Sequence, residues 1–316
     1  MKTAVLRKKP TLVIGQLSRA LVLLLLAALC TIGIPQFRTS YNIINVIRQT
    51  SLLAIMAFGM TIAMLSGGLD LSIGSVIAFS SCVAGSFLVH GQNLLGITIG
   101  LLVGAASGLA TGLAIGLLRL PPFIATWGMM QIARGLALSY TGGYSYYGFH
   151  PAFRWLGTGF FLGIPAPVFI GIIVFVFLHW LTRRTVFGRS LYATGSNPEA
   201  ARASGIPVGM IQVKTYVLSG LLSGLAGLVY AARVNAAEPV IGQLFALDAI
   251  AASVIGGTSF RGGEGGVAGT ILGAGIIALL QNALNLLGVS SYWQVFVRGV
   301  VIVIAVTVDL YARRRQ

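Results

Sequence analysis

Apolar runs about the length of a membrane crossing recur along nearly the whole chain, and no soluble fold buries so many. Ten lie at about 17–37, 48–66, 71–90, 94–118, 122–141, 165–182, 211–233, 245–258, 266–288 and 292–311. A bilayer core of about 30 Å takes roughly 20 apolar residues of helix. The helix is also the element that satisfies its own backbone there. The run at 245–258 is short for a full crossing, and reads either as a short span or as a broken, re-entrant helix. Only 9% of the residues are charged, against roughly 25% in soluble domains. The expectation is an all-α polytopic membrane protein of about ten transmembrane helices, with residues 1–316 forming one domain.

Charge sets the orientation. The net charge of +15 comes from 21 Lys and Arg set between and beside the apolar runs, not along one helix face, so nucleic acid is not the partner. With the N-terminus in the cytoplasm, 15 of the 21 lie inside or at the inner boundary, among them Arg119, Arg183, Arg184, Arg189, Arg202, Lys214 and Arg261. Arg38, Arg48, Arg134, Arg154, Arg233 and Arg298 are the remainder. An even number of spans returns the C-terminus inside, where Arg313, Arg314 and Arg315 agree with it. Lys2, Arg7, Lys8, Lys9 and Arg19 before LVLLLLAALC imitate a secretory signal. No hydrophilic mature sequence follows, so this is read as an uncleaved first span. Cys30 and Cys82 both fall in apolar runs and read as packing residues.

Two patterns concern packing. Gly96, Gly100, Gly104, Gly108, Gly112 and Gly116 recur every fourth residue, a smooth ridge that lets a second helix approach closely. Packing inside one subunit is the plain reading; a subunit interface is the alternative. In addition, LDLSIGSVI (69–77) is echoed by LDAIAASVI (247–255), five spans apart and therefore oppositely oriented, as in an inverted repeat. Asp70 and Asp248 then sit where helix N-caps are expected. Capping alone accounts for them, or these helix starts flank a translocation path.

Enzymatic constellations are missing from the sequence. Six acids and three histidines (His90, His150, His179) are widely spaced, and GGTSFRGGEGGVAG (256–269) lacks the Gly-Lys-Ser/Thr ending of a phosphate loop. Polar residues inside apolar runs are more informative. Asn282 and Asn285 share a face of the ninth run beside Gln281, and either bond a neighbouring helix or line a path for a hydroxyl-rich solute. Trp127, Gln131 and Arg134 share a face of the fifth run, a candidate cavity wall.

A basic stretch at 183–210 carries a short polar helix. Ser196 and Glu199 have capping-box spacing; alternatively Asn197 caps and Pro198 is the first helical residue. Ala200, Ala201, Arg202, Ala203 and Ser204 continue it, Gly205 suits a left-handed C′ position, and Pro207 prevents a restart. So short a helix is marginal alone and needs a partner to lean on.

The stretch NPEAARASGI resembles the Glu-Ala-Ala cytoplasmic loop of permease subunits in ATP-binding-cassette importers. SGGLDLSIGS (66–75), FIATWGMMQIARG (123–135), LDAIAASVIGGTSFRGGEG (247–265) and QNALNLLGVSSYWQ (281–294) resemble ribose, xylose and related sugar permeases, most closely the ribose ones. Ala246, where several relatives carry Glu, and Trp127, commonly aliphatic, are departures. The resemblance implies a binding-protein-dependent sugar importer in the bacterial inner membrane, working by alternating access. Its partners would be an ATPase subunit that uses ATP and Mg, a periplasmic sugar-binding protein and a second permease copy; no cofactor would bind this chain. Residues 196–205 would be the coupling helix, with Asp70, Trp127, Gln131, Asp248, Asn282 and Asn285 along the path. A nucleoside or branched-chain amino acid cargo is the near alternative, and an ion-coupled secondary transporter the distant one.

Overall fold

The computed structural model describes residues 10–314, and among them the architecture is helical almost throughout. Helix α1 (Pro10–Gly33) ends at a one-turn 3-10 segment, Pro35–Arg38. Then come α2 (Ser40–Leu65), α3 (Ile73–Leu88), α4 (Asn93–Gly116), α5 (Pro122–Thr141) and α6 (Pro151–Thr158). After them follow α7 (Ala166–Arg184), α8 (Val186–Ser196), α9 (Pro198–Ala203) and α10 (Val208–Val234). Helices α11 (Phe245–Ile255), α12 (Val267–Leu286) and α13 (Ser291–Arg314) complete the set. Among the described residues, six helices are long and apolar enough to cross a membrane: α1, α2, α4, α7, α10 and α12. Helices α3 and α11 are apolar but only 16 and 11 residues long. The chain is thus a polytopic membrane protein.

Helix ends follow local chemistry. Helix α2 starts at Ser40, earlier than the apolar run suggests, because the Thr39 side chain accepts from Asn42 N at 3.3 Å and caps it. The α5–α7 connection holds α6, one strand of a pair and a miniature hairpin. Strand β1 (Tyr146–Tyr147) pairs antiparallel with β4 (Ala236–Ala237), Tyr146 opposite Ala237. Strands β2 (Phe160–Phe161) and β3 (Ile164–Pro165) form a hairpin turning at Leu162 and Gly163, both with positive φ.

Helices α2, α10 and α12 form the interior, while α1 leaves its apolar surface outward. The glycine ridge of α4 packs inside the chain. Gly104 and Gly108 meet the backbone of Tyr216, Gly220 and Gly224 on α10, Gly116 meets Gly209, and Gly96 lies against Leu88 of α3. An added Cβ at Gly104 would stand 2.9 Å from Gly224 Cα, so the two backbones touch. A buried hydroxyl cluster joins three other helices: Thr61 Oγ1 of α2 lies 3.0 Å from Ser253 Oγ of α11 and 2.7 Å from Thr270 Oγ1 of α12.

Two segments without regular structure enter this interior, residues 66–72 leading into α3 and residues 238–244 leading into α11. They meet where Gly74 abuts Gly242, whose φ of +80° suits only glycine. An added Cβ at Gly242 would lie 2.5 Å from Gly74 O, so neither position accommodates a side chain. Lys2, Arg7, Lys8, Lys9 and Arg315, and the side chains of Arg313 and Arg314, which the topology expectation used, lie outside the described residues.

Candidate functional site

Four helices surround a cavity of about 340 Å³ at the end of the bundle remote from α9. Helix α2 contributes Asn45, Gln49, Leu52, Leu53 and Met56; α10 contributes Tyr230 and Arg233; α11 contributes Phe245 and Asp248; α12 contributes Gln281 and Asn285. The polar members hold one another in place. Arg233 donates to Asn45 Oδ1 at 2.5 Å, and Gln49 Nε2 donates to Gln281 Oε1 at 3.0 Å. Asp248 meets Arg298 of α13 at 3.3 Å. Beyond the lining, Asn42 and Asn282 exchange bonds at 3.1 and 2.8 Å and clamp α2 to α12. Gln294 Nε2 donates to Asn285 Oδ1 at 2.9 Å and to Val289 O at 2.8 Å, which fixes the α12–α13 turn.

The six path candidates from the sequence divide among different places. Asp248 and Asn285 line the cavity, whereas Asn282 lies behind it in the helix clamp. The expectation that Asp248 caps a helix is incorrect. Helix α11 begins at Phe245, so Asp248 lies inside its first turn and pairs with Arg298 instead. Asp70 precedes α3 by two residues more than a cap would, since the cap position is Ser72. Only 2% exposed, Asp70 accepts from Ser72 N at 3.0 Å, Ser72 Oγ at 2.5 Å and Ser219 Oγ, halfway along α10, at 2.6 Å. Its role in the fold is to pin the entering segment to α10. Trp127, 52% exposed, and Gln131 lie on the outward face of α5, apart from this cavity. Arg134 on the same helix turns inward and donates to Pro239 O and, at 2.7 Å, to Ile241 O, satisfying the entering segment's carbonyls. Of the departures from the resemblance, Ala246 is buried at the start of α11.

Asn45, Gln49 and Arg233 were missed as site residues. Asn45 lies ahead of the apolar run assigned to α2, and nothing local distinguishes Gln49 or Arg233 from residues at a helix end. The signal that was available is the i,i+4 spacing of Asn45 and Gln49, which puts two amides on one face of α2.

At the opposite end, α9 has caps at both ends. Of the two readings of its start, the Asn197 one holds: Asn197 Oδ1 accepts from Glu199 N and Ala200 N, both at 3.0 Å, and Pro198 is the first helical residue. Ser196 instead closes α8, a helix that the sequence reading did not separate from the basic loop. Gly205, φ +81°, closes the other end, with Gly205 N bonded to Arg202 O at 2.9 Å and Ile206 N to Ala201 O at 3.0 Å. Ala201 is 4% exposed, while Glu199, Arg202 and Ala203 face outward, so one side of α9 docks on the bundle and the other is open.

A glycine clasp holds the α8–α9 junction. An added Cβ at Gly195 would stand 2.6 Å from Gly263 N, and one at Gly262 would stand 2.7 Å from Gly67 Cα. Gly263 N donates to Leu65 O at 3.2 Å, tying the loop between α11 and α12 to the end of α2. From α8, the Tyr192 hydroxyl donates to Gly265 O at 2.9 Å. Burial pushes its pKa up, against a smaller opposing pull from Arg183, so it remains a donor. The junction of α9 therefore touches the end of α2 and the loop that joins α11 to α12, and these three helices are among the four that line the cavity at the far end.

Over 300 residues, 94% of this chain and 93% of the relative, the sequence is 45% identical to the ribose import permease protein RbsC of Bacillus subtilis (strain 168). It is 44% identical to the ribose import permease protein RbsC of Escherichia coli (strain K12), over 93% of each chain. It is 35% identical to the L-arabinose ABC transporter permease protein AraH of Azospirillum brasilense, over 94% of this chain and 88% of the relative. No solved structure matches. A family model described as branched-chain amino acid transport system / permease component matches residues 42–306, spanning α2 to α13, and the chain belongs to that family.

Proposed function

We propose that this chain is the transmembrane subunit of an ATP-driven, binding-protein-dependent importer of monosaccharides of the ribose type. The observation that carries the proposal is α9: a doubly capped helix with an open outer face, whose junction is clasped to the end of α2 and to the loop between α11 and α12. A separate ATPase subunit, using ATP and Mg, would dock on Glu199, Arg202 and Ala203. Its closure would displace α9 as one piece, and the clasp would pass that displacement to α2, α11 and α12, three of the four helices around the cavity. The cavity's access would alternate by rigid-body movement, without chemistry on the cargo. Importer architecture adds a second permease copy and a periplasmic sugar-binding protein; the outward face of α5, with Trp127 and Gln131, is where a second copy would complete the path.

Ten spans, with α3 and α11 as the shortened ones, put both termini and α9 on the cytoplasmic side of the bacterial inner membrane. Segments 66–72 and 238–244, converging at Gly74 and Gly242, support an inverted repeat whose halves meet there.

The cavity wall bears on the cargo. Asn45, Gln49, Arg233, Asp248, Gln281 and Asn285 suit a solute rich in hydroxyls, and an apolar branched side chain would gain little from them. Both relatives named for ribose agree with that choice. Ion-coupled transport finds no open carboxylate at Asp70 or Asp248, since one is held by two serines and the other by Arg298.

Two experiments test the proposal. A photocrosslinking residue at Arg202 is expected to capture the cognate ATPase, and capture from Leu94 at the far end of the bundle but not from Arg202 would contradict it. The ligand retained by the cognate binding protein is expected to be a pentose; a branched-chain amino acid there would overturn the cargo.

A further inference from the structure

We infer that the cavity enclosed by α2, α10, α11 and α12 is a binding subsite for one uncharged polyhydroxylated molecule, held within a single copy of the chain. This rests on the sugar reading above for its ligand class, but it adds that the permease itself recognises hydroxyls instead of offering a featureless passage. At about 340 Å³ the cavity lies near the small end of ligand sites, roughly 300–1,000 Å³, and suits a monosaccharide. Arg233 and Asp248 are the charged residues of the wall, one of each sign, so the lining favours neither an anion nor a cation.

Gln281 supplies the sharpest observation. It is 7% exposed, its Oε1 is taken by Gln49, and its buried Nε2 has no partner at full hydrogen-bond length, interacting only loosely with the Asp248 carboxylate. Native folds leave few buried donors without a well-formed hydrogen bond, and this one belongs to a cavity wall. The Gln281 amide lies beside the Asp248 carboxylate. A ligand hydroxyl between them would accept from Gln281 Nε2 and donate to Asp248, a pairing that needs a group able to do both. In the same lining Tyr230 and Phe245, ring centroids 5.6 Å apart and edge-on, give an apolar surface for the C–H face of a sugar ring.

The test is saturation-transfer NMR on the purified permease in lipid nanodiscs, without binding protein or ATPase, against D-ribose, D-xylose, L-arabinose and D-glucose. At least one sugar is expected to receive saturation with half-effect near about 1 mM, a weak affinity that permits release. Gln281→Leu is expected to weaken it about tenfold or more, Gln281→Asn less, and Leu102→Ala on the outward face of α4 not at all. Melting curves of each variant identify any that fail to fold, and Asn285→Leu provides a second lining change. Absence of transfer to every sugar, or equal transfer to wild type and to a folded Gln281→Leu, overturns the subsite. ATP-driven sugar uptake by the assembled transporter in that case would leave the importer reading standing while the subsite falls.

Discussion

Buried charge at single residues shows best how this fold treats polarity. Asp248 and Arg298 form a partly buried pair, and removing one partner leaves the other uncompensated. Arg298→Met is expected to destabilise by about 1.5–3 kcal/mol. The double variant Asp248→Asn/Arg298→Met should recover part of that loss, read as melting midpoints in detergent. Equal midpoints for the single and double variants would mean that the pair is not coupled. A carboxylate inside an apolar stretch was legible at both Asp70 and Asp248, because a charge there demands a reason. Its partner was not, since Ser219 and Arg298 are brought to them by packing from distant helices. The cap assigned to Asp248 failed for the same reason: Leu-Asp-x-x-x-x-Ser-Val-Ile looks alike in both places, yet α11 begins three residues before its Asp and α3 three residues after.

Among the elements, α9 was the most legible because its start and stop signals are local. Asn197, Pro198 and Gly205 act through backbone geometry within a few residues, and the sequence shows them directly. Gly205 has open space around it, so a side chain there meets strain only in the left-handed backbone, roughly 1–2 kcal/mol. Gly205→Val is therefore expected to fray the end of α9 and to lower sugar uptake per ATP hydrolysed, with membrane insertion and melting nearly unchanged. Wild-type coupling in that variant would make the loop a passive linker. The ridge on α4 makes a contrasting case. Gly104→Leu drives a side chain into the α10 backbone and is expected to cost about 1–3 kcal/mol or more, read as a lower melting midpoint or as lost expression. Helix α8 was read as part of the basic loop because VFGRSLYATGS has two glycines, yet it carries a local start signal: the Thr185 side chain accepts from Gly188 N at 3.2 Å and caps it.

For the whole molecule, the ten apolar runs fall on helices of the structure, while the site they enclose was only partly foreseen. A cavity assembled from α2, α10, α11 and α12 draws its polar residues from positions between 45 and 285, and no local pattern announces that they converge. What links the two ends is the shared use of α2, α11 and α12, bolted together by Thr61, Ser253 and Thr270 and clasped to the α9 junction below. On the proposed function, transport is obligatorily driven by ATP through α9. The most direct measurement is uptake of labelled sugar by proteoliposomes holding this permease, its ATPase and its binding protein, with ionophores present or absent. Uptake is expected to stop when ATP hydrolysis is blocked and to be indifferent to collapse of the proton and sodium gradients. Uptake that persists without hydrolysis, or that disappears with the gradients, would contradict it.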